Sequence, residues 1–191
     1  MKMKHIYSMT DKLSDHFRYY EMVESETAER KGILNIPNRT EIDNFKGLCR
    51  NVLEPIRSYV RKTWKKTGYI KNKSGFRCRK LNKDIGGSSR SQHCKGEADD
   101  FQVPGVGLYK VWKWIVLESG LPFDQCIMEY PTVDLFIPWI HVSHKVNGNN
   151  KGIITVAVKE FKNRWSKKKV TKYYHFTKDE IERGLHFNII E

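Results

Sequence analysis

The sequence lacks any apolar run near the ~18 residues that would carry a helix across a membrane, so no membrane-spanning helix is expected. Its opening, MKMKHIYSMTDKLSDHF, lacks the apolar stretch of a secretory signal, and synthesis in the cytoplasm without export is the expectation. No fixed period recurs, which sets aside solenoid, coiled-coil and collagen-like architectures. Cysteine is sparse: Cys49, Cys78, Cys94 and Cys126 form no CxxC pair. Scattered thiols in a chain without an export signal read as reduced, either as small buried hydrophobes or as bystanders beside a site. Acidic residues are also in short supply. Against 35 Lys and Arg stand 22 Asp and Glu, a formal charge of +13. Such a balance attracts an anionic partner: nucleic acid, a lipid surface or an acidic cell-wall polymer. It says nothing yet about chemistry.

What is present suits one folded domain. A length of 191 residues can bury a core without disulfides, and 12% aromatics is too many for a disordered chain. Ser25, Ala28 and Glu29 predict a short helix that stops near Gly32, and Asn35-Ile36-Pro37 predicts a turn or helix start. From Glu41 to Lys65 the apolar residues fall at Ile42, Phe45, Leu48, Cys49, Val52, Leu53, Ile56, Tyr59, Val60 and Trp64. Those spacings predict one helix with a buried face, capped by Thr40 and bent or interrupted at Pro55. Its outer face carries Arg57, Arg61, Lys62, Lys65 and Lys66, read as a solvated basic surface.

Residues 67–90 are rich in glycine, serine and basic residues and read as loop around a compact SGFRCRKLN segment. Residues 107–120 predict a second amphipathic helix, stopped by Gly120 and Pro122. Strands are expected at 124–130, 139–144 and 152–158, and Thr177 to Glu180 forms a capping box for a last helix at 178–185. Helices first and strands later, without βαβ alternation, predict the α+β class.

The segment with the most chemistry is Ser91-Gln92-His93-Cys94-Lys95-Gly96-Glu97-Ala98-Asp99-Asp100-Phe101. A second, Trp139-Ile140-His141-Val142-Ser143-His144, lies some forty residues on. A catalytic zinc takes three protein ligands and leaves one position open, and His93, Asp100 and His141 would supply such a set. A histidine near an aspartate is more commonly a hydrogen-bonded pair, so composition alone leaves both readings open.

The order of the motifs goes further. SGFRCRKLN, then GGSSRSQHCKGEADDF, then WIHVS, resembles the zinc D-Ala-D-Ala carboxypeptidase and endopeptidase family, closest to its short single-domain, phage-type branch. LSDHFRYYEMVESETAERKGILN and LCRNVLEPIR fit as well, so the resemblance covers about residues 10 to 145. It implies a small antiparallel sheet carrying a zinc site, flanked by helices, in the DD-peptidase or hedgehog-like manner. It implies Zn2+ as cofactor, with His93, Asp100 and His141 as ligands. Arg77 matches the arginine that holds a substrate carboxylate or polarises the scissile carbonyl, and Ser91 a serine beside the substrate. Arginine's fixed fork of donors suits that task, and Gly96 permits the turn that returns Asp100 toward His93. Asp99 competes as a ligand, but neighbours on a strand face opposite ways; the family pattern selects Asp100 and leaves Asp99 expected on the surface.

The general base departs from the pattern. Many relatives carry an acid three residues before the second histidine ligand, where this chain has Pro138. Glu129 is the replacement chosen here: a hairpin of 124–130 with 139–144 could set it on the face of His141, and the resemblance implies a Glu in that strand. A strand-edge carboxylate paired with a lysine is an equal alternative, and Asp134 is a further candidate. His144 is expected to be structural or exposed, Trp139 to pack under the site, and Phe17 and Glu21, beside His16, to serve packing and capping. His5, His175 and His186 have no assigned partner.

The expected domain is 1–158, followed by a basic extension, 159–191, that carries a short helix and packs on the same domain. In it Lys159, Lys162, Arg164, Lys167, Lys168, Lys169 and Lys172 surround Phe161, Trp165, Tyr173 and Tyr174, either as a solvated face or as a surface for an anionic wall polymer. The function implied is a zinc metallopeptidase acting on peptidoglycan stem peptides. As a phage lysis enzyme it would pass from the host cytoplasm to the periplasm or wall; otherwise it would ride in the virion. A non-catalytic zinc-fold module, favoured by Pro138, is the alternative. Nucleic-acid binding ranks last, because charge alone carries it.

Overall fold

The structure is a computed structural model that describes residues 7–64, 69–131, 138–162 and 168–184. Asp134, Lys65, Lys66, Arg164, Trp165, Lys167, His5 and His186, all singled out above, lie outside the described residues, as does the end of the last predicted helix.

Two short helices come first, α1 (Tyr19–Val23) and α2 (Glu26–Arg30), the second capped by Ser25 as expected. Next comes α3 (Arg39–Leu48), capped by Asn38 rather than Thr40: the Asn38 side chain accepts from the Glu41 N–H, and Glu41 returns the bond. Asn38 sits just outside the helix, where a short acceptor satisfies free N–H groups; Thr40 is already inside. The helix then widens into a π-turn, Cys49–Leu53, and resumes as α4 (Glu54–Trp64). Pro55 explains the place. It has no N–H, and its ring would crowd a carbonyl one turn back, so the chain loosens immediately before it. The predicted apolar face is the buried one: Ile42, Phe45, Leu48, Cys49, Val52, Leu53, Ile56 and Val60 are sealed from solvent. Each large side chain contributes about 1.5–3 kcal/mol of burial.

Residues 69–90 are more ordered than their composition suggests. They hold an edge strand, β1 (Lys71–Ser74), and a helix, α5 (Arg79–Asp84). Lys71 and Lys73 give β1 a polar pattern because it is an edge strand, so the hydrophobic signal is weak there. A 3-10 turn, Gln92–Lys95, leads through Gly96 into β2 (Ala98–Gln102). After α6 (Leu108–Leu117) come β3 (Gln125–Glu129), β4 (Trp139–Ser143), β5 (Ile153–Phe161), β6 (Lys169–Phe176) and α7 (Lys178–Glu182), the last with the predicted Thr177–Glu180 box.

The strands form one six-stranded sheet in the order β1-β2-β4-β3-β5-β6. Neighbours are antiparallel except β3 and β5, which run parallel. The α+β class holds, with a larger sheet than expected. β5 runs on through residue 158, where a domain boundary was expected, and Ile181 of α7 joins the main core. One face of the sheet carries Phe101, Ile140, Met128 and Val156 against the helices. The other carries Asp100, His141 and Glu129. Among the described residues no helix is long and apolar enough to cross a membrane.

Candidate metal centre

Strand register brings distant residues together. Asp100 pairs with His141 across β2 and β4, and Trp139 pairs with Glu129 across β4 and β3. Paired residues point to the same side of a sheet, as do residues two apart. Asp100, His141, Glu129 and Trp139 therefore share one face. His93 arrives from the 3-10 turn. Gly96 closes that turn at φ 68, and a Cβ there would run into the Glu41 carbonyl, so glycine is required twice over.

His93, Asp100 and His141 are all buried, and their ligand atoms lie within 4.8 Å of one another. His93 Nε2 stands 3.1 Å from His141 Nδ1 and 3.3 Å from Asp100 Oδ1; His141 Nδ1 stands 2.8 Å from Asp100 Oδ1. The protons can be counted. His93 Nδ1 lies 2.7 Å from the Gly75 carbonyl, which can only accept. Nδ1 thus carries the hydrogen. Burial pushes the His93 pKa down and keeps the ring neutral despite Asp100, so Nε2 offers a lone pair. Burial would raise Asp100, but His93 and His141 overcome it and hold the carboxyl far below its usual range. Acceptor atoms converge on one point, which is the arrangement that suits a divalent cation.

Glu129 is half-buried on the same face. Burial first, then the Asp100 charge, push its pKa up to about 7, against the lowering effect of His141, Tyr130 and Arg77. Arg77 acts electrostatically on both His93 and Glu129. Its Nε is buried and, among the described residues, meets no hydrogen-bond partner. Arg77 also lines a groove of about 680 Å³ between β1 and the α1–α2 segment. Ser91 stands just before the 3-10 turn, half-buried; among the described residues no hydrogen bond joins its hydroxyl to the cluster.

Asp99, expected on the surface, is fully buried. It pairs with Val142 on the helix-covered face, and burial, with Asp100 alongside, pushes its carboxyl well above the usual range. Strand parity does turn it away from Asp100, but what covers that face does not follow from parity. Pro138 is half-buried, and its carbonyl accepts from the Gln102 amide at 2.9 Å. Cys94 is buried, with its thiol pushed up by burial, and all four cysteines are free. His16 bonds Glu54 at 2.8 Å, and His175 bonds the Thr155 hydroxyl at 2.9 Å.

Two supporting residues escaped the sequence reading. Gly75 supplies the carbonyl that orients His93, and a Cβ there would meet the Met22 carbonyl at 2.7 Å. Asn35 is buried and pins the Arg77 segment: its amide donates to the Val23 and Phe76 carbonyls and accepts from the Cys78 N–H. The Asn-Ile-Pro turn signal marked the place, though not the task.

A model of the Peptidase M15 family matches residues 15–132, more than half of the chain. The chain belongs to that family, the zinc D-Ala-D-Ala carboxypeptidase-like peptidases. No curated protein matches it. The matched span contains Arg77, Ser91, His93, Asp100 and Glu129; His141 lies beyond it and joins them through the β2–β4 register.

Proposed function

We propose that this protein is a zinc peptidase that hydrolyses peptide bonds in peptidoglycan stem peptides, as a D-Ala-D-Ala carboxypeptidase or an endopeptidase. The observation that carries this is the convergence of His93 Nε2, Asp100 Oδ1 and His141 Nδ1, with Glu129 one step along the same sheet face. These three would hold the zinc. When bound, zinc supplies Lewis acidity, polarising a carbonyl and lowering the pKa of water. Glu129 takes a proton from the attacking water and returns it to the leaving amine. A carboxyl pKa drawn toward 7 suits both transfers. Arg77, whose charge acts on His93 and Glu129, holds a substrate carboxylate or the developing oxyanion. Ser91, at the mouth of the 3-10 turn, contacts the substrate. Glu129 thereby does the work that Pro138 cannot.

Pro138 also supports a second reading, a non-catalytic wall-binding or virion module that keeps the metal. Incubating the protein with peptidoglycan fragments, with and without chelator, and weighing the products by mass spectrometry tests both. Chelator-sensitive cleavage is expected, and the product masses name the bond. Intact fragments from protein that holds stoichiometric zinc would replace the peptidase with the binding module.

A further inference from the structure

The metal-bearing face does not stop at Glu129. Register carries it across the parallel β3–β5 pair onto the C-terminal hairpin. One row runs Asp100, His141, Ile127, Thr155, His175; the next runs Trp139, Glu129, Ala157, Tyr173. Two residues further along β5 stands Lys159, opposite Thr171, and then Phe161, opposite Lys169.

The two faces of this hairpin differ. On the helix side Lys172 pairs with Glu160 at 2.6 Å, and the Tyr174 hydroxyl donates to the same carboxylate at 2.6 Å. On the metal side, Lys159 donates to the Thr171 hydroxyl and lies 4.5 Å above the Tyr130 ring, while Lys169 lies 5.3 Å above Phe161. Among the described residues, neither of these two lysines has a carboxylate within ion-pair distance. On the same face Phe161, opposite Lys169, is 57% exposed and Tyr173, next to Thr171 along this face of β6, 53%, large aromatic surfaces open to solvent. Tyr173 lies near enough to Glu129 and Asp100 to feel both charges, so the strip adjoins the cluster.

The geometry points to a substrate subsite on this strip, continuous with the metal centre, in which Lys159 and Lys169 bind carboxylates of the peptidoglycan strand while Phe161 and Tyr173 pack against its sugar rings. This extends the peptidase reading: the strip holds the polymer beyond the bond that Glu129 addresses. Strand spacing and rise put Lys169 roughly 15 Å from Glu129, so only a substrate longer than the cleaved dipeptide reaches it. Stem peptides and the acidic sugars that bear them carry carboxylates, which matches the unpaired cations. Flat aromatic faces suit the C–H surface of a sugar ring.

The test uses the full zinc-loaded chain carrying Glu129→Gln, so that ligand is not consumed. Sedimentation with peptidoglycan stripped of phosphate polymers is measured for this background, for added Lys159→Gln with Lys169→Gln, and for added Arg61→Gln with Lys62→Gln. The last pair removes equal charge from the exposed outer side of α4. Loss of about tenfold in affinity is expected for the hairpin pair and less than twofold for the helix pair. Lys169→Gln and Tyr173→Ala, made singly, each give a smaller loss and cover a misfolded double variant. Equal losses from both pairs, or none from the hairpin pair, would overturn the subsite. Binding that follows the hairpin lysines only when phosphate polymers remain overturns the carboxylate assignment. Hydrolysis of a short stem peptide by unmutated protein is followed separately. If nothing is cut yet hairpin-dependent binding persists, the peptidase reading falls and the strip stands.

Discussion

Two regions, one in the middle of β4 and one just past its end, bury histidines in opposite ways. His141, in β4, sets its Nδ1 3.1 Å from His93 Nε2 and 2.8 Å from Asp100 Oδ1, so at most one hydrogen is shared among three acceptor atoms. His144, just past β4, is also buried, but each of its ring nitrogens finds a complementary partner within the protein. Its Nδ1 lies 2.6 Å from the Pro122 carbonyl and so carries the hydrogen; its Nε2 then accepts from the Asn51 amide at 2.9 Å. A histidine whose two nitrogens find an acceptor and a donor within the protein is finished structurally. One whose nitrogen converges with a second ring nitrogen and an ionised carboxylate offers a site where a cation can take the place of that single hydrogen. That difference, more than burial or residue type, separates a structural histidine from a candidate ligand.

The largest effect expected is on the cation. His141→Ala should weaken zinc binding more than about 100-fold and abolish hydrolysis, whereas His144→Ala should retain stoichiometric zinc. Metal content after dialysis, measured for both, decides the matter; loss of zinc from the His144 variant would break the contrast. Next in size is Glu129→Gln, which should lower kcat by about 10²–10⁴ while zinc stays bound. A variant that keeps full turnover would return the base to another group.

His144→Ala sharpens the comparison from the structural side. It strands the Asn51 amide and the Pro122 carbonyl, a cost of about 1–3 kcal/mol that thermal unfolding would register as a fall of several degrees in Tm. Turnover of the zinc-loaded variant should change little. The smallest effect is a matter of pH. A base works ionised, and Glu129 ionises as pH rises through its pKa near 7, so kcat should fall on the acid side. A bound dication favours the carboxylate and moves that limb lower. The limb should be absent from the residual rate of Glu129→Gln; a limb unchanged in that variant would assign it to another group.

Much of this was legible beforehand, and the reasons are local. The stripe from Ile42 to Trp64 has helical period, Thr177 and Glu180 form a box, and Pro55 can only disturb a helix. Each acts within a few residues of its cause. The motif spacing around His93, Asp100 and His141 named the cluster that the register then assembled. β1 was not legible because its side chains are those of an exposed edge. Asp99 was misplaced because strand parity says which way a residue points and not what lies there. Gly75 and Asn35 act through backbone contacts, which leave little trace in residue type.

By itself, then, the sequence determined the helical pieces, the donor types and the family pattern, since periodicity, capping and ligand chemistry are written residue by residue. Only the tertiary structure decided that the basic C-terminal stretch adds β6 and the end of β5 to the same sheet, that β5 lies parallel to β3, and that Glu129 shares a face with His141 and Tyr173. Those facts depend on which strands pair and in what register. Pairing is settled by the burial of whole faces against the helices, a global sum that no short segment contains.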